Sequence, residues 1–249
     1  MREAYCEEDG WRERWKRVLV IVPAYNEEES LEHTVKELEY CLAQQSRWIF
    51  DYVIVNDGSS DRTRDICKAN GYPLLDLPVN TGLTTALQTG MKYAYRSGYD
   101  FAIQFDADGQ HDPQYLPALV EASVEQDANI VIGSRFVNQA KEFSMRMIGS
   151  TLISAIVRMT TGVRISDPTS GMRLFDATMV EKFAQENYFA PEPDTIAYSI
   201  RIGARAVEVP VTMRERFAGS SYLTATKSIM YMMRMGASIL LLQWIRKAR

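Results

Sequence analysis

Short apolar runs alternate with helical stretches up to residue 136, and this alternation constrains the fold more than any other feature. The runs are rich in Val, Ile and Leu, and they read RVLVIVPAY, FDYVIVND, YPLLDLP, YDFAIQFDAD and ANIVIGSRF. The stretches between them place apolar residues at helical spacing, as Leu31, Val35, Leu38 and Leu42 do. Continuous apolar strands separated by helices are typical of a parallel sheet covered on both faces. The sequence therefore predicts an α/β fold, a mostly parallel sheet flanked by helices.

Polar residues and glycines follow each of the five predicted strands. The five clusters are residues 23–27, 56–59, 80–82, 106–108 and 133–135. In open parallel sheets, ligands bind outside the carboxyl ends of the strands. We therefore expect the five clusters to line one cleft.

The fourth cluster lies in FAIQFDADGQHDP, residues 101–113, and concentrates acidic side chains where a strand ends. Asp106 and Asp108 are two residues apart, so in an extended strand both carboxylates would point the same way. Gln110 could add a carbonyl oxygen, and such ligands suit Mg²⁺ or Mn²⁺, which often share substrate phosphates. Taken alone, the short pattern also fits a solvated, helix-capping turn. Because carboxylates this close raise each other's pKa unless neutralised, we predict a metal site of Asp106, Asp108 and Gln110.

Composition excludes several other classes of function. The formal net charge of −4 argues against a general nucleic-acid binder, and neither GxGxxG nor GxxxxGK[ST] occurs. The three cysteines, Cys6, Cys41 and Cys67, form no CxxC pair, which suits a reducing compartment. The amino-terminal segment lacks the apolar core of a secretory signal, and no window of about 18 uninterrupted apolar residues occurs. We expect a cytoplasmic protein.

The sequence pattern changes after about residue 140. Residues 144–163 form a Met-rich amphipathic helical candidate, and residues 223–249 form a long apolar helix with basic ends. The second helix predicts an interfacial element, with Trp244 at the border, at the inner face of the plasma membrane. A core-packing helix or a homo-oligomer contact is the alternative. We divide the chain into an amino-terminal extension (1–16), a main domain (17–222) and this C-terminal helix (223–249).

Six short motifs are far more specific together than any one of them is alone. In order they are VPAYNEE, VNDGSSDRT, NTGLTTALQTG, DADGQHDP, GSRF and DPTSGMR. With these motifs the chain resembles family 2 glycosyltransferases of the GT-A-type, Rossmann-like fold over residues 17–222. DADGQH, DPTSGMR and the later RERFAGSS are most similar to polyprenyl-phosphate sugar synthases. The resemblance implies a hexosyltransferase that inverts the anomeric carbon and uses a nucleotide-sugar donor.

The resemblance also implies roles for the residues that match the family's motifs. The residues that would hold the base and ribose of the nucleotide are Pro23, Tyr25, Glu27 and Asp57, with Gly82 as a bend. Asp106, Asp108 and Gln110 match the family's metal cluster, which bridges the donor diphosphate. The arginines that match phosphate-binding positions are Arg135, Arg146 and Arg216, and Arg173 lies in the same motif loops.

The candidate general base depends on the acceptor. A sugar hydroxyl needs a base to take its proton, whereas a polyprenyl phosphate is already ionised and needs much less help. Asp167, in DPTSGMR, matches an acidic residue near the acceptor, and we predict that it is catalytic or orients the acceptor. Glu192 and Asp194, in APEPDT, are the alternative bases. Asp108 and Arg216 complete the predicted catalytic set.

Three hypotheses for the function follow. The first is Mg²⁺- or Mn²⁺-dependent transfer from a nucleotide-diphosphate sugar, with a UDP-sugar expected, to an undecaprenyl or dolichyl phosphate. The second keeps this chemistry but places the sugar on a saccharide hydroxyl in cell-surface polysaccharide synthesis. The third is a nucleotide-sugar binding module without turnover, which the intact Asp106, Asp108 and Arg216 disfavour.

Overall fold

The computed structural model describes residues 15–137, 145–186, 189–214 and 225–245, but not the side chains of 145–148, 225–229 and 242–245. The strands in these residues are β1 (Arg17–Ala24), β2 (Ile49–Asp57), β3 (Leu74–Leu77), β4 (Phe101–Gln104), β5 (Ile130–Ser134), β6 (Arg173–Asp176) and β7 (Ala206–Pro210). They form one sheet in the order β3-β2-β1-β4-β6-β5-β7. Strand β6 runs antiparallel to both of its neighbours, and the other pairs are parallel.

Helices cover both faces of the sheet. The helices of the described residues are α1 (Leu31–Ala43), α2 (Thr63–Asn70), α3 (Leu83–Arg96), α4 (Leu116–Gln126), α5 (Met145–Thr161), α6 (Ala177–Gln185), α7 (Pro193–Arg201) and α8 (Ala225–Ile245). Alternate residues of β1 point to opposite sides of the sheet. Leu19 and Ile21 belong to the core under α3, α6 and α8, and Val18 and Val20 to the core under α1 and α4. The predicted α/β fold is therefore confirmed.

Strand β6 is the main feature that the sequence pattern does not predict. Its four residues, RLFD, end a segment that reads as a turn-rich loop. They form a strand because both edges are paired: Leu174 lies opposite Ile103 on β4 and opposite Val131 on β5. Since β6 is antiparallel, the loop that precedes it opens at the same edge of the sheet at which β4 and β5 end.

The five polar clusters lie at one edge of the sheet, as expected, because β1 to β5 all point in the same direction. The predicted strand through Asp108 is too long, however, since β4 ends at Gln104. Pairing stops there because β6 begins at Arg173, directly opposite Gln104. Asp106 and Asp108 therefore lie in the turn after the strand, and strand alternation does not align their side chains.

The C-terminal helix α8 packs against α5 and α7, with Met235 and Ile239 buried in that contact. Among the described residues, the structure contains no helix with the length and hydropathy that crossing a membrane requires. The predicted division of the chain at residues 222 and 223 stays a prediction.

The turn after β2 requires glycine. Gly58 has a φ of 64°, and a Cβ there would lie 2.3 Å from the carbonyl carbon of Val79. Strain and clash add, so we expect Gly58→Ala to lower the free energy of unfolding by more than about 2 kcal/mol. Gly71→Ala is the matched control, because Gly71 has a φ of 69° but nothing within 4 Å of its added Cβ. Urea unfolding should show the larger loss for Gly58→Ala, and equal losses would contradict this account.

Candidate active site

The turn after β4 carries two acidic side chains in different surroundings. The side chain of Asp106 is 36% exposed, and its Oδ1 accepts a hydrogen bond from Gln104 Nε2 at 3.2 Å. Asp108 is buried, and its Oδ1 accepts from the backbone N–H of Gln110 at 3.1 Å. This second bond closes a side-chain-to-backbone turn that reverses the chain. Both carboxylates thus stand on a hydrogen-bonded turn at the carboxyl edge of the sheet.

The oxygen ligands of this turn fit a divalent cation that is held partly by its substrate. Among the described residues, no group of three or more His, Cys, Asp and Glu side chains is placed to hold a metal ion. The turn is therefore not a closed protein cage. Mg²⁺ is commonly bound by one or two carboxylates together with substrate phosphates, and Mn²⁺ accepts the same oxygen ligands. Asp106, Asp108 and the half-exposed Gln110 could supply that partial set of ligands, and this role stays a prediction.

His111 supports the turn from behind. It is buried, packs edge-on against the Phe105 ring with centroids 5.4 Å apart, and accepts the backbone N–H of Asp106 on Nδ1 at 2.9 Å. That bond occupies the Nδ1 lone pair, which leaves the ring proton on Nε2. Gly171 closes the opposite side, since a Cβ there would lie 2.4 Å from Asp106 Oδ2. The loop before β6 therefore approaches the turn more closely than any larger residue at position 171 permits.

Asp57, at the end of β2, organises the loop after β3. It is buried, and its Oδ1 accepts from the backbone N–H and the hydroxyl of Thr81 at 2.8 and 2.9 Å. Its Oδ2 accepts from the backbone N–H of Gly82 at 2.8 Å. Gly82 has a φ of 91° and immediately precedes α3. Asp57 thus shapes the start of α3, and its predicted nucleotide contact stays a prediction.

The loops after β1 and β2 are joined through Asn26. Its backbone N–H donates to Ser59 Oγ at 3.0 Å, and its Oδ1 accepts from the backbone N–H of Ser60 at 2.9 Å. The predicted nucleotide residues around Asn26, all half-buried, are Pro23, Tyr25 and Glu27. The structure brings these residues and Asp57 to neighbouring loops, and their role stays a prediction.

An ion pair with a buried carboxylate connects the end of β5 to the loop before β6. Asp167 is 0% exposed and the Arg135 side chain is 31% exposed. Arg135 Nε and Nη2 donate to Asp167 Oδ2 and Oδ1 at 2.7 and 2.8 Å, a bidentate arrangement. Glu208 on β7 accepts the backbone N–H of Asp167 at 2.8 Å and so fixes the loop. Of the two roles predicted for Asp167, this burial favours orientation, exerted through Arg135, over direct catalysis.

Arg173 lies beneath the cleft. It is buried, and its Nη2 donates to the carbonyl of Pro168 at 2.9 Å. Burial lowers the pKa of its guanidinium, and the nearby Tyr231, Glu192 and Asp167 oppose that change. Arg173 Nε and the Oε1 of Gln104, its register partner, are buried without a hydrogen-bond partner among the described residues. This burial keeps the Arg173 guanidinium out of the cleft, unlike the partly exposed Arg135.

The two alternative bases lie at the start of α7 and are both bonded to α8. The Tyr231 hydroxyl donates to Glu192, and the Ser238 hydroxyl donates to Asp194 Oδ2 at 2.7 Å. Burial raises the pKa of Glu192, while the bond from Tyr231 and the charge of Arg173 oppose the rise. Both carboxylates therefore serve in the contact between α7 and α8.

Arg214 ties the segment after β7 to the acidic turn. Its backbone N–H donates to the Gln110 carbonyl at 2.9 Å. Its Nη1 donates to Glu37 on α1 at 2.8 Å, and its Nη2 donates to Asp112 at 2.9 Å. Asp112, a further acid of the stretch 101–113, is thus engaged in an ion pair.

Two residues with predicted roles lie wholly or partly outside the described residues. Arg216 is outside the described residues, and Arg146 belongs to α5 but its side chain is not described. Their roles stay predictions. Sequence reasoning missed Glu208 and Tyr231, since neither belongs to a motif. For Tyr231, the signal is a hydroxyl within the apolar run of residues 229–233.

The buried ion pair has a measurable effect on stability. We expect Asp167→Asn to lower the free energy of unfolding by about 2 kcal/mol, because it removes one partner of a largely buried charge pair. Glu121→Gln is the matched control, since the Glu121–Arg47 bridge is exposed and should contribute less than about 1 kcal/mol. Guanidinium chloride unfolding measures both. Losses of equal size would show that the Asp167 pair is no stronger than a surface bridge.

Comparisons with known sequences agree with the motifs. The sequence model described as Glycosyl transferase family 2 matches residues 19–188. An undecaprenyl-phosphate mannosyltransferase of Micrococcus luteus is 33% identical over 221 residues, 84% of this chain and 88% of the relative. A UDP-N-acetylglucosamine–dolichyl-phosphate N-acetylglucosaminyltransferase of Methanococcus voltae is 30% identical over 192 residues, 69% of this chain and 74% of the relative.

Solved structures confirm the GT-A-type fold. The mannosyltransferase PcManGT of Pyrobaculum calidifontis, solved with GDP-Man and Mn²⁺, matches with a TM-score of 0.65 at 20% identity, covering 94% of this chain and 66% of that one. Glucosyl-3-phosphoglycerate synthase of Mycobacterium tuberculosis, solved with Mn²⁺, UDP and phosphoglyceric acid, matches with a TM-score of 0.63 at 20% identity, covering 92% and 78%. Fold, motifs and the match over residues 19–188 together establish that this chain is a glycosyltransferase and belongs to glycosyl transferase family 2.

Proposed function

We propose that this glycosyltransferase moves a sugar from a nucleotide-diphosphate sugar to the phosphate of a polyprenyl phosphate, with inversion at the anomeric carbon. By their names, relatives at 33% and 30% identity act on undecaprenyl phosphate and dolichyl phosphate. The sugars in those names differ, mannose in one and N-acetylglucosamine in the other. A UDP-sugar remains the first donor to test, with GDP-mannose as the second.

The hydrogen bonds of the three candidate bases are the observation that favours a phosphate acceptor over a hydroxyl acceptor. Each is bonded to a side chain of the same protein: Asp167 to Arg135, Glu192 to Tyr231 and Asp194 to Ser238. A hydroxyl acceptor needs a carboxylate that can take its proton, whereas a phosphate acceptor arrives ionised. Carboxylates that are engaged in this way suit the phosphate.

Arg135 is the described residue best placed to receive a phosphate. Its pair with Asp167 uses two of the five guanidinium N–H donors, a third faces Thr169 Oγ1 at 3.5 Å, and its side chain is partly exposed at the cleft. Asp167 would thus act as a positioning residue for Arg135. We assign Arg146 and Arg216, on the strength of their motifs, to the same phosphates of donor and acceptor.

The acidic turn would hold the donor. Asp106, Asp108 and Gln110 would bind Mg²⁺ or Mn²⁺ together with the diphosphate. When bound, the ion would neutralise the charge that develops on the departing nucleoside diphosphate. The residues that would hold the base and ribose are Pro23, Tyr25, Glu27, Asp57 and Gly82.

A polyprenyl acceptor resides in a membrane, and α5 and α8 present an exposed apolar surface that suits one. The exposed apolar residues of this docking surface are Leu152, Met159, Met230, Met233, Leu240 and Leu241. Arg158 and Arg234 are exposed beside Met159 and Met233, where they would meet anionic headgroups. We propose peripheral attachment to the inner face of the plasma membrane through this surface.

Transfer should depend on Asp108. Asp108→Asn keeps an oxygen for the Gln110 N–H but removes the charge, so we expect kcat to fall at least about 100-fold with an unchanged melting temperature. The assay incubates protein, Mn²⁺, undecaprenyl phosphate and a labelled UDP-sugar or GDP-mannose, and counts butanol-extractable label. Asp112→Asn is the matched control in the same turn and should stay within about threefold of wild type, because its partner is Arg214.

Four results would contradict the proposal. Full turnover by Asp108→Asn, or with the metal chelated, would remove the cation from the mechanism. Transfer of label to an added oligosaccharide, with none in the butanol phase, would point to a saccharide acceptor, and donor binding without any turnover would point to a binding module.

Membrane attachment should depend on the docking surface. Met233 and Leu241 are 71% and 63% exposed on α8. Replacing both with Ser should weaken sedimentation with phosphatidylglycerol vesicles at least about tenfold, because each loses apolar transfer energy. Val124→Ser on α4 is the matched control, since Val124 is also exposed but lies on another helix. Unchanged vesicle binding by the double variant would contradict the assignment, and dimers in size-exclusion chromatography would assign the surface to a second copy.

A further inference from the structure

Helix α8 lies beyond residues 19–188, which the family's sequence model matches, yet it contacts the start of α7 through two hydroxyls. Tyr231 donates to Glu192, and Ser238 donates to Asp194 at 2.7 Å. Met235, four residues after Tyr231, is buried on the same side of the helix. The inner side of α8 is thus polar at two points within an otherwise apolar contact.

Glu192 lies between α8 and the residues beneath the cleft. The charged and titratable groups around it are Tyr231 and Arg234 on α8, Arg173 on β6 and Asp194 on α7. Arg173 is buried, so its positive charge depends on nearby carboxylates to offset the loss of water. An ionised Glu192 supplies part of that negative charge.

Arg173 in turn holds the loop that carries the ion pair of the cleft. Its Nη2 donates to the Pro168 carbonyl at 2.9 Å, and Asp167, the preceding residue, grips Arg135. A displacement of Arg173 would therefore move the loop, and with it the guanidinium that we assign to phosphate binding. Packed interiors transmit such shifts because they have little free volume.

We propose that Tyr231 is a positioning residue of the active site, which acts through Glu192 and Arg173 on the loop of Asp167 and Arg135. Its hydroxyl would hold the Glu192 carboxylate where its negative charge acts on the buried Arg173. The consequence for transfer rests on the proposed function, whereas the effect of Tyr231 on Glu192 does not depend on the acceptor.

Removal of the Tyr231 hydroxyl should raise the pKa of Glu192. Burial raises the pKa of Glu192, and the bond from Tyr231 opposes that rise, so the pKa climbs further without it. Because Glu192 has to be ionised to offset Arg173, activity would fall as the pH drops through this pKa. In a plot of kcat against pH, the fall on the acidic side, here called the acid limb, should therefore move to higher pH.

The test compares two variants that each lose one tyrosine hydroxyl. In Tyr231→Phe we expect the acid limb to move up by about one pH unit, with the donor KM within about twofold of wild type. Tyr52→Phe is the matched control, since the Tyr52 hydroxyl donates to Glu39 on α1 at 2.6 Å, outside the cleft. It should leave the limb in place. A limb that does not move in Tyr231→Phe overturns the proposal.

A second measurement needs no acceptor. The pKa of the Glu192 carboxyl is followed by NMR in protein labelled with ¹³C at the Glu side-chain carboxyl, and Glu192→Gln identifies the signal. A higher pKa in Tyr231→Phe than in wild type supports the proposal, and equal values overturn it. A lower melting temperature with an unchanged pKa would also overturn it, because that outcome marks a merely structural contact. If the pKa of Glu192 shifts but the wild-type protein transfers no sugar to polyprenyl phosphate, the proposed function is wrong. The effect of Tyr231 on Glu192 would still be supported.

Discussion

The ion pair between the buried Asp167 and the partly exposed Arg135 is the interaction on which the organisation of the cleft depends. A fully buried carboxylate is costly unless its charge is matched, and both oxygens of Asp167 are matched by one guanidinium. Glu208 holds the backbone of the same loop. The result is a partly exposed guanidinium, fixed at the carboxyl edge of the sheet, where the acidic turn also lies.

The antiparallel strand β6 brings this pair to that edge. Because β6 starts opposite the last residue of β4, the loop before it lies against the acidic turn, and Gly171 lets it approach Asp106. A parallel strand in this place would be entered from the opposite edge of the sheet. The same loop rests on Arg173, through which we propose that α8 acts on the cleft.

Local patterns were enough to predict the layered fold and the edge at which the motifs meet, since continuous apolar runs and turn residues encode both. Local patterns do not predict strand β6, because its four residues form a strand only by pairing with β4 and β5, which are distant in sequence. The motif DPTSGMR indicates that Asp167 belongs to the site, but it does not show that Asp167 is buried. That burial depends on Arg135, 32 residues away. Likewise, nothing in APEPDT indicates that Glu192 and Asp194 are bonded to α8.

The central claim is that this cleft receives an acceptor that is already ionised. Transfer to undecaprenyl phosphate and to undecaprenol, which has the same chain but ends in a hydroxyl, tests it most directly. With equal concentrations of the two lipids, the account predicts butanol-extractable label from the phosphate at a rate at least about 100-fold higher. Comparable rates with undecaprenol would contradict it, because one of the carboxylates would then have to act as a base.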